Sequence, residues 1–445
     1  KVINMQSGIS VHTGSARIRL ERNFIHACRS SANSWRYGHP HGPTGISQSN
    51  PLGNIVLRDN DIIGSESHWW NDGIEGEYNG YVTGGPNRDT DILGNVVAFA
   101  NDDGIELDGG QRNVRCFNNL FRWTYCGVSC APNLRGPSYV YRNLIVLGEE
   151  RGRANFGFKM GGAQFPNQGL SRLFRNTVIS HGDTLSAGHY GKGPSPIESM
   201  NNVFHLGSVS YRFVGGAVFT GDLVAPGGFP EALRAAQGDT PPSTPVSGSA
   251  TFVDQVRGDY RMASAPVEHE AGAFDRGAEE QFPVRPGRVR ATPALLSLGT
   301  TSSGEVHVEY DAEAGRAWAA TPNVSWISCS PASGEINATG ATVKAVISLD
   351  PSKTLPGAHR GAVTFRTDRG FLKTVFITAT VLPAKPWGRV FEAEALAHSG
   401  FALGRSASAG GGAYLVATNG TPHQAASVAL EVEVPADGDY QLWGR

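Results

Sequence analysis

The chain has 445 residues, with 38 basic against 40 acidic side chains and a formal net charge of −2. That length exceeds what one core usually holds, so two or three domains are expected, and near-neutrality gives no reason to propose nucleic acid or an anionic membrane as a partner. No stretch reads as a membrane-crossing helix, and 57 glycines, 26 prolines and little helical periodicity point to an all-β chain.

The sequence opens KVINMQSGIS without an initiator Met, which reads as a processed or truncated N-terminus. From there one short phrase returns: ARIRLERNFI, NIVLRDNDII, DILGNVVAF, VRCFNNLFR, YVYRNLIVL, LFRNTVIS and ESMNNVFHL. Each has alternating apolar residues, then an Asn, one residue, and another apolar residue. The asparagines are Asn23, Asn60, Asn95, Asn119, Asn143, Asn176 and Asn202, spaced 24 to 37 residues apart. Alternation means strands with one buried face, and the uneven spacing means connecting loops of different length. A solenoid of parallel strands tolerates such insertions, and an Asn at one corner of every coil can bond to its copies in a ladder. The expected fold is a right-handed parallel β-helix.

A second phrase follows each asparagine: TGIS, DGIE, DGIE, CGVS, FGFK and AGHY. Superposing them predicts one outward column of Ser47, Glu75, Glu106, Ser129, Lys159 and Tyr190, a parallel one holding Glu77 and Asp108, and Asp72 beneath Asp103. FANDDGIELDGG carries Asp102, Asp103, Glu106 and Asp108 within seven residues, half of a two-coil acidic patch. Solvation, protons, a metal ion or basic neighbours would have to balance it. Trp69, Trp70, Tyr78, Tyr81, Trp123 and Tyr125 lie close by in sequence, and exposed ring faces beside carboxylates suit a sugar. Lys159 is the only lysine between residues 2 and 191. The five cysteines, Cys28, Cys116, Cys126, Cys130 and Cys329, allow at most two disulfides and lack paired C-x-x-C spacing, so no zinc site is expected.

The solenoid is expected to end near residue 284, where ATFVDQVRGDYRMASAPVEHEAGAF resembles the closing segment of secreted β-helix carbohydrate enzymes, before a linker PVRPGRVRATP. Residues 285–383 read as a small immunoglobulin-like β-sandwich, in which VSWISCSPASGE and DPSKTLPGAHRGAVTF resemble the BACON domain. Residues 384–445 resemble the start of a jelly-roll carbohydrate-binding module; in that family the E-A-E strand, here Glu392 and Glu394, helps hold a structural calcium. The partial module and its BACON-like neighbour imply, by resemblance, a monomeric extracellular or periplasmic protein acting on a polysaccharide or oligosaccharide.

The acidic phrases resemble those of polygalacturonases and related inverting β-helix hydrolases, which carry N-T-D-G-I, then G-D-D-C-I, then G-H-G-I and R-I-K. Here W-N-D-G-I at 70–74 and N-D-D-G-I at 101–105 put Asp72, Asp102 and Asp103 where that family has its catalytic aspartates, and Lys159 alone remains of the basic motif. T-Y-C-G-V replaces the histidine motif, which argues against galacturonan. The resemblance implies a glycoside hydrolase of inverting type, with Asp103 as general acid, Asp72 and Asp102 activating water, and Glu75 and Glu106 holding sugar hydroxyls. Two alternatives stand beside it. In a calcium-dependent polysaccharide lyase acting on a uronic-acid glycan, Glu75, Glu77, Glu106 and Asp108 would bind Ca²⁺, Lys159 would be the base and Tyr190 the acid. In a glycan-binding surface protein the patch would be non-catalytic.

Overall fold

The computed structural model describes residues 7–147, 155–161, 168–180, 182–187, 196–205, 208–211, 217–225, 246–247, 250–264, 272–274, 282–285, 289–310, 315–382, 397–399, 401–405, 413–417 and 427–429. It is all-β: short strands, with no helix longer than a 3₁₀ turn among the described residues. Residues 1–382 form one compact unit and residues 383–445 another.

The first part of the larger unit is built from parallel sheets, an arrangement consistent with a β-helix. One eight-stranded sheet runs Arg19–Glu21, Val56–Arg58, Arg88–Leu93, Arg112–Phe117, Ser138–Tyr141, Ser171–Phe174, Ile197–Met200 and Ala217–Thr220, each strand pairing in parallel with the same segment of the next coil. A second, fifteen-stranded sheet carries the remaining faces, and its strands Val96–Glu106 and Leu120–Cys130 run through it unbroken for eleven residues each. Apolar residues alternate inward, and Ile46, Ile74, Ile105, Val128 and Phe158 stack as a fully buried column.

The asparagine ladder forms. From Asn60 to Asn176, each ladder residue donates its backbone N–H and its side-chain amide to Oδ1 of the next one. The same amide also donates to a strand carbonyl at 2.9 Å: Leu57 for Asn95, Ile92 for Asn119, Cys116 for Asn143. The ladder ends one coil beyond the sequence motif, on buried Asp222, whose Oδ1 accepts both bonds from Asn202. The residue before each ladder position turns the corner in the left-handed region: Arg22, Asp59, Asn118, Arg142, Arg175 and Asn201 at φ 51–57°, and Gly94 and Gly221 at 65°. At Gly94 a Cβ would lie 2.2 Å from Asp59 Oδ1, so a side chain there would require Asp59 to move.

The stack is followed by an antiparallel hairpin, Thr251–Asp254 with Asp259–Ser264, in the D-Y-R-M segment. Two further sheets complete the unit. One comprises Val289–Thr292, Ser303–Tyr310, Ala341–Leu349 and Ile327–Ser330; the other comprises Leu295–Gly299, Leu372–Val381, Gly357–Thr367, Arg316–Pro322 and Ser333–Ile336. They share a core around Tyr310, Trp318, Ile347 and Phe365. This sandwich lies against the coil stack. Asn323 Nδ2 donates to Gly64 O, and the fully buried Asp61 accepts from Arg285 and from Thr374. The expected linker is therefore pinned at Arg285 rather than free. All five cysteines are free thiols. In residues 383–445 the described strands form two antiparallel pairs, Ala397–Ser399 with Ser427–Ala429 and Phe401–Arg405 with Ala413–Ala417.

Candidate active site

The two D-G-I phrases lie on neighbouring coils in the expected register, with Ile74 paired to Ile105. Asp72 Oδ1 accepts the backbone N–H of Asp103 at 2.8 Å, and Gly73 N–H donates to Asp103 O. Between the pairs Ala100–Thr124 and Asp103–Cys126, strand Val96–Glu106 carries one residue more than its neighbour. The same surplus appears on the other side, between Trp70–Ala100 and Ile74–Ile105. This is a β-bulge at Asn101–Asp102. Consecutive strand residues normally point to opposite faces, and a bulge re-aims one of them. Asp102 and Asp103 thereby converge on Asp72, the three offering oxygens within 4.8 Å of one another. A second grouping of the same tightness joins Asp72 to Glu75 and Glu106.

Solvation does not explain the patch, because Asp72, Asp102, Asp103 and Asp108 are 4 % exposed or less. Lys159 supplies one charge, its Nζ 2.7 Å from Asp103 Oδ2. Burial opposes its charge, but the carboxylates of Asp103, Asp102 and Asp108 outweigh burial and hold the ammonium well above the usual lysine range. Protons supply more of the balance. Burial, then Asp102 and Asp103, push Asp72 well up; burial, then Asp108 and Asp72, do the same for Glu106. Asp102 rises to about 7 through burial and Asp103, against Lys159 and the His39 ring 3.4 Å away. Asp108 rises to about 6 through burial, eased by Lys159 and by hydrogen bonds from Ala131 N and Ser129 Oγ. Glu75, partly exposed and accepting from Thr44 Oγ1 at 2.7 Å, is raised by burial without the aspartates' crowding.

Asp103, the expected general acid, is ion-paired with Lys159, whereas burial and Asp103 raise Asp102 to about 7. Other expectations need correction. Glu77 and Asp108 fall outside both oxygen groupings. The expected column runs Ser47, Glu75, then Glu106, Ser129 and Lys159, and in backbone register the next position is Ser186 rather than the expected Tyr190. Tyr190, Glu392 and Glu394 lie outside the described residues. The tryptophans do not line a groove. Trp70 packs in the coil-stack core, while Trp69 and Trp123 are buried with Phe99 and Phe376 beneath the sandwich, Arg360 lying over both rings. Tyr125 is 3 % exposed against Phe156 and Trp35. Of the expected sugar-stacking residues, Tyr78 is open, 50 % exposed and edge-to-face with Tyr81.

Sequence reasoning missed the segment 27–43, which covers the aspartates: Asn101 Nδ2 donates to Ala32 O, Trp35 packs on Tyr125, and His39 reaches Asp102. Its visible signal was the pair His39 and His41 in a Gly- and Pro-rich excursion. A second excursion carries Tyr78 and Tyr81 and holds Glu106 through Asn79 Nδ2 at 2.8 Å.

No family model matches the chain, and no curated protein matches it. Among solved structures it has faint likenesses. The periplasmic chaperone SfaE aligns at 11 % identity and TM-score 0.19, covering 24 % of this chain and 62 % of the chaperone, less than two-thirds of its length. A Bacteroides ovatus GH5 xyloglucanase aligns at 13 % and TM-score 0.17, over 22 % of this chain and 20 % of that one. The human CEP192 PapD-like domain aligns at 16 % and TM-score 0.19, over 23 % of this chain and 94 % of that one. Likeness at this level says nothing about activity.

Proposed function

We propose that the chain is a polysaccharide-degrading glycoside hydrolase of inverting type, built on a right-handed parallel β-helix with a BACON-like sandwich and a carbohydrate-module-like C-terminal segment. The observation that carries the reading is the bulge that brings Asp102 beside Asp72 and Asp103 in a buried setting, where its carboxyl holds a proton up to about 7. A buried acid poised near neutrality is what protonation of a glycosidic oxygen requires. In this reading Asp102 delivers the proton, and Asp103, fixed by Lys159, supplies the negative charge that stabilises an oxocarbenium-like transition state. Inversion needs carboxyls about 6.5 to 9.5 Å apart with a water between them. The three aspartates are tighter than that, so the partner base is drawn from beyond them, and we assign the partly exposed Glu75, which adjoins Asp72, to that role. The open Tyr78–Tyr81 pair offers a ring face to a sugar at the rim. An extracellular or periplasmic location and a monomeric state belong to the same proposal.

One observation favours the lyase as a second reading: Asp72, Glu75 and Glu106 present an all-oxygen set that suits Ca²⁺, which would supply charge neutralisation for a uronate carboxylate. Against it, the only described lysine at the site is ion-paired and held strongly protonated, the opposite of what a base needs. Incubation with a panel of neutral and acidic glycans separates the readings. New reducing ends without ultraviolet absorbance, and an inverted anomer by early-time NMR, are expected. Unsaturated products would make it a lyase, and no cleavage of any glycan a binding protein.

A further inference from the structure

Away from the acidic cluster, the coil stack, the closing hairpin and the sandwich line a half-open cavity of about 650 Å³. Its three carboxylates each have an arginine at hand: Asp254 with Arg257 at 3.7 Å, Asp259 with Arg261 at 2.6 Å, and Glu309 with Arg290 at 3.8 Å. Two cations remain. Arg122 of the coil stack and Lys373 of the sandwich both line the cavity, are 4 % and 6 % exposed, and have no carboxylate partner among the described residues. Arg122 donates to Tyr260 Oη at 3.2 Å and lies over the rings of Phe376, Trp123 and Tyr260, while its buried Nε–H has no acceptor. Lys373 Nζ donates to Phe282 O at 3.2 Å.

Burying two cations with no carboxylate in contact is costly, and Asp61, whose charge reaches Lys373, is already held by Arg285 and Thr374, so an anion in the cleft would complete the balance. Beside the paired charges, Thr292, Thr342, Thr374 and His307, the wall has an apolar part from Leu120, Leu144, Phe274, Phe282 and Phe376. Clefts of this size between domains, apolar with a few convergent polar groups, are common small-molecule sites. We propose that this cavity binds a small organic oxyanion, a carboxylate or a sulfate ester, whose charged end meets Arg122 and Lys373 and whose body rests on the phenylalanine wall. A guanidinium and an ammonium together complement an oxyanion better than either alone. The inference is independent of the hydrolase reading, since no carboxylate of the acidic cluster lines this cavity.

The test is calorimetric titration of the full chain at pH 6.5 with glucuronate, glucose 6-sulfate, inorganic sulfate and glucose. Either or both organic anions should bind, glucose should not, and inorganic sulfate should bind at least about tenfold more weakly because it leaves the apolar wall uncovered. Lys373→Met keeps the aliphatic stem and removes the charge, and should weaken binding at least about tenfold; Lys373→Arg should retain it. Burial, then Arg285, lower the Lys373 ammonium to about 8 against the pull of Asp61, so the cation is present below that pH and lost above it. Affinity should therefore fall between pH 6.5 and 9.5; Asp254, Asp259, Glu309 and His307 also face the cleft, and an affinity unchanged at pH 9.5, or a decline that persists in Lys373→Met, would overturn the lysine's role. Arg122→Gln should act like Lys373→Met; if it does not fold, Lys373→Met and the pH series carry the test. Absence of binding by both organic anions, equal binding of glucose, inorganic sulfate as tight as the organic anions, or unchanged affinity in Lys373→Met would overturn the proposal.

Discussion

Replacing Asn119 with alanine tests the ladder where it is most enclosed. The side chain accepts two bonds on Oδ1, from Asn95 N and Asn95 Nδ2, both at 2.9 Å, and donates from Nδ2 to Ile92 O at 2.9 Å and Asn143 Oδ1 at 3.0 Å. Some of these losses are absorbed: Asn95 Nδ2 keeps Leu57 O, and Asn143 Oδ1 keeps the Asn119 N–H. One is not: the Asn95 backbone N–H, fully buried, loses its acceptor, while the Ile92 carbonyl, inside a strand paired on both sides, loses its side-chain donor only. A buried orphan costs about 1 to 3 kcal/mol, so Asn119→Ala should cost about 2 to 3 kcal/mol. At an m-value of about 3 kcal/mol per molar, the urea midpoint followed by tryptophan fluorescence should fall by about 0.7 to 1 M. Asn23 sits at the ladder's partly exposed end and only donates, to an Asn60 Oδ1 that keeps the Asn23 N–H, so Asn23→Ala should cost less than about 1 kcal/mol. Exposed Asn337→Ala serves as control; Asn79 does not, because it holds Glu106. Equal shifts for Asn119→Ala and Asn23→Ala would refute the account of which groups are left without partners.

Asp102→Asn should lower glycan cleavage at least about a hundredfold with the fold intact, and wild-type activity should decline as pH rises through about 7, where the acid loses its proton; activity undiminished at pH 9 would remove Asp102 from that role. Lys159→Met leaves a buried Asp103 without its partner and should destabilise by about 3 to 5 kcal/mol, while the double variant with Asp103→Asn recovers part of that; strict additivity in denaturant midpoints would mean the pair is not coupled. Asp222 is raised to about 7 in the folded chain, chiefly by burial, from 3.8 in the open chain, so the folded state binds its proton more tightly and this group costs stability progressively as pH rises from about 4 to 7. Asp222→Asn should raise the thermal midpoint at pH 8 and lose that advantage by pH 4; parallel wild-type and variant profiles across that range would show that the residue does not titrate as described.

The fold was legible wherever the physics is local. A strand with one buried face writes alternation into its own residues, and a corner amide writes an Asn at a fixed offset, so all seven ladder asparagines could be read. The eighth coil was missed because Asp222 performs the acceptor half of the same task with a different residue. What escaped were relations between coils and between domains. The bulge at Asn101–Asp102 is one extra residue relative to neighbours and has no signature of its own, yet it decides that two adjacent aspartates share a site. Trp69 and Trp123 look like exposed rings until the sandwich covers them, and Arg285 looks like linker until Asp61 receives it. Lys159 could be singled out by its isolation, but its bond to Asp103 depends on the stacking of three coils.

Successive ladder residues are separated by 37, 35, 24, 24, 33, 26 and 20 positions, although every coil closes the same circuit. The surplus in the two longest coils includes the excursions 27–43 and 78–87, which carry His39, Trp35, Tyr78, Tyr81 and Asn79 to the acids. Lengthening a loop whose ends are already fixed adds little closure entropy, on the order of 0.6 kcal/mol per doubling. The architecture thus divides its labour between paired strands that repeat from coil to coil and excursions on the flank whose length is not set by that pairing. A change of length in 27–43 would re-tailor what reaches the carboxylates, whereas 78–87 is tied back to the stack through Gly84 O, Asn87 O and Asn87 Nδ2, so only its tip around Tyr78–Tyr81 is open to exchange.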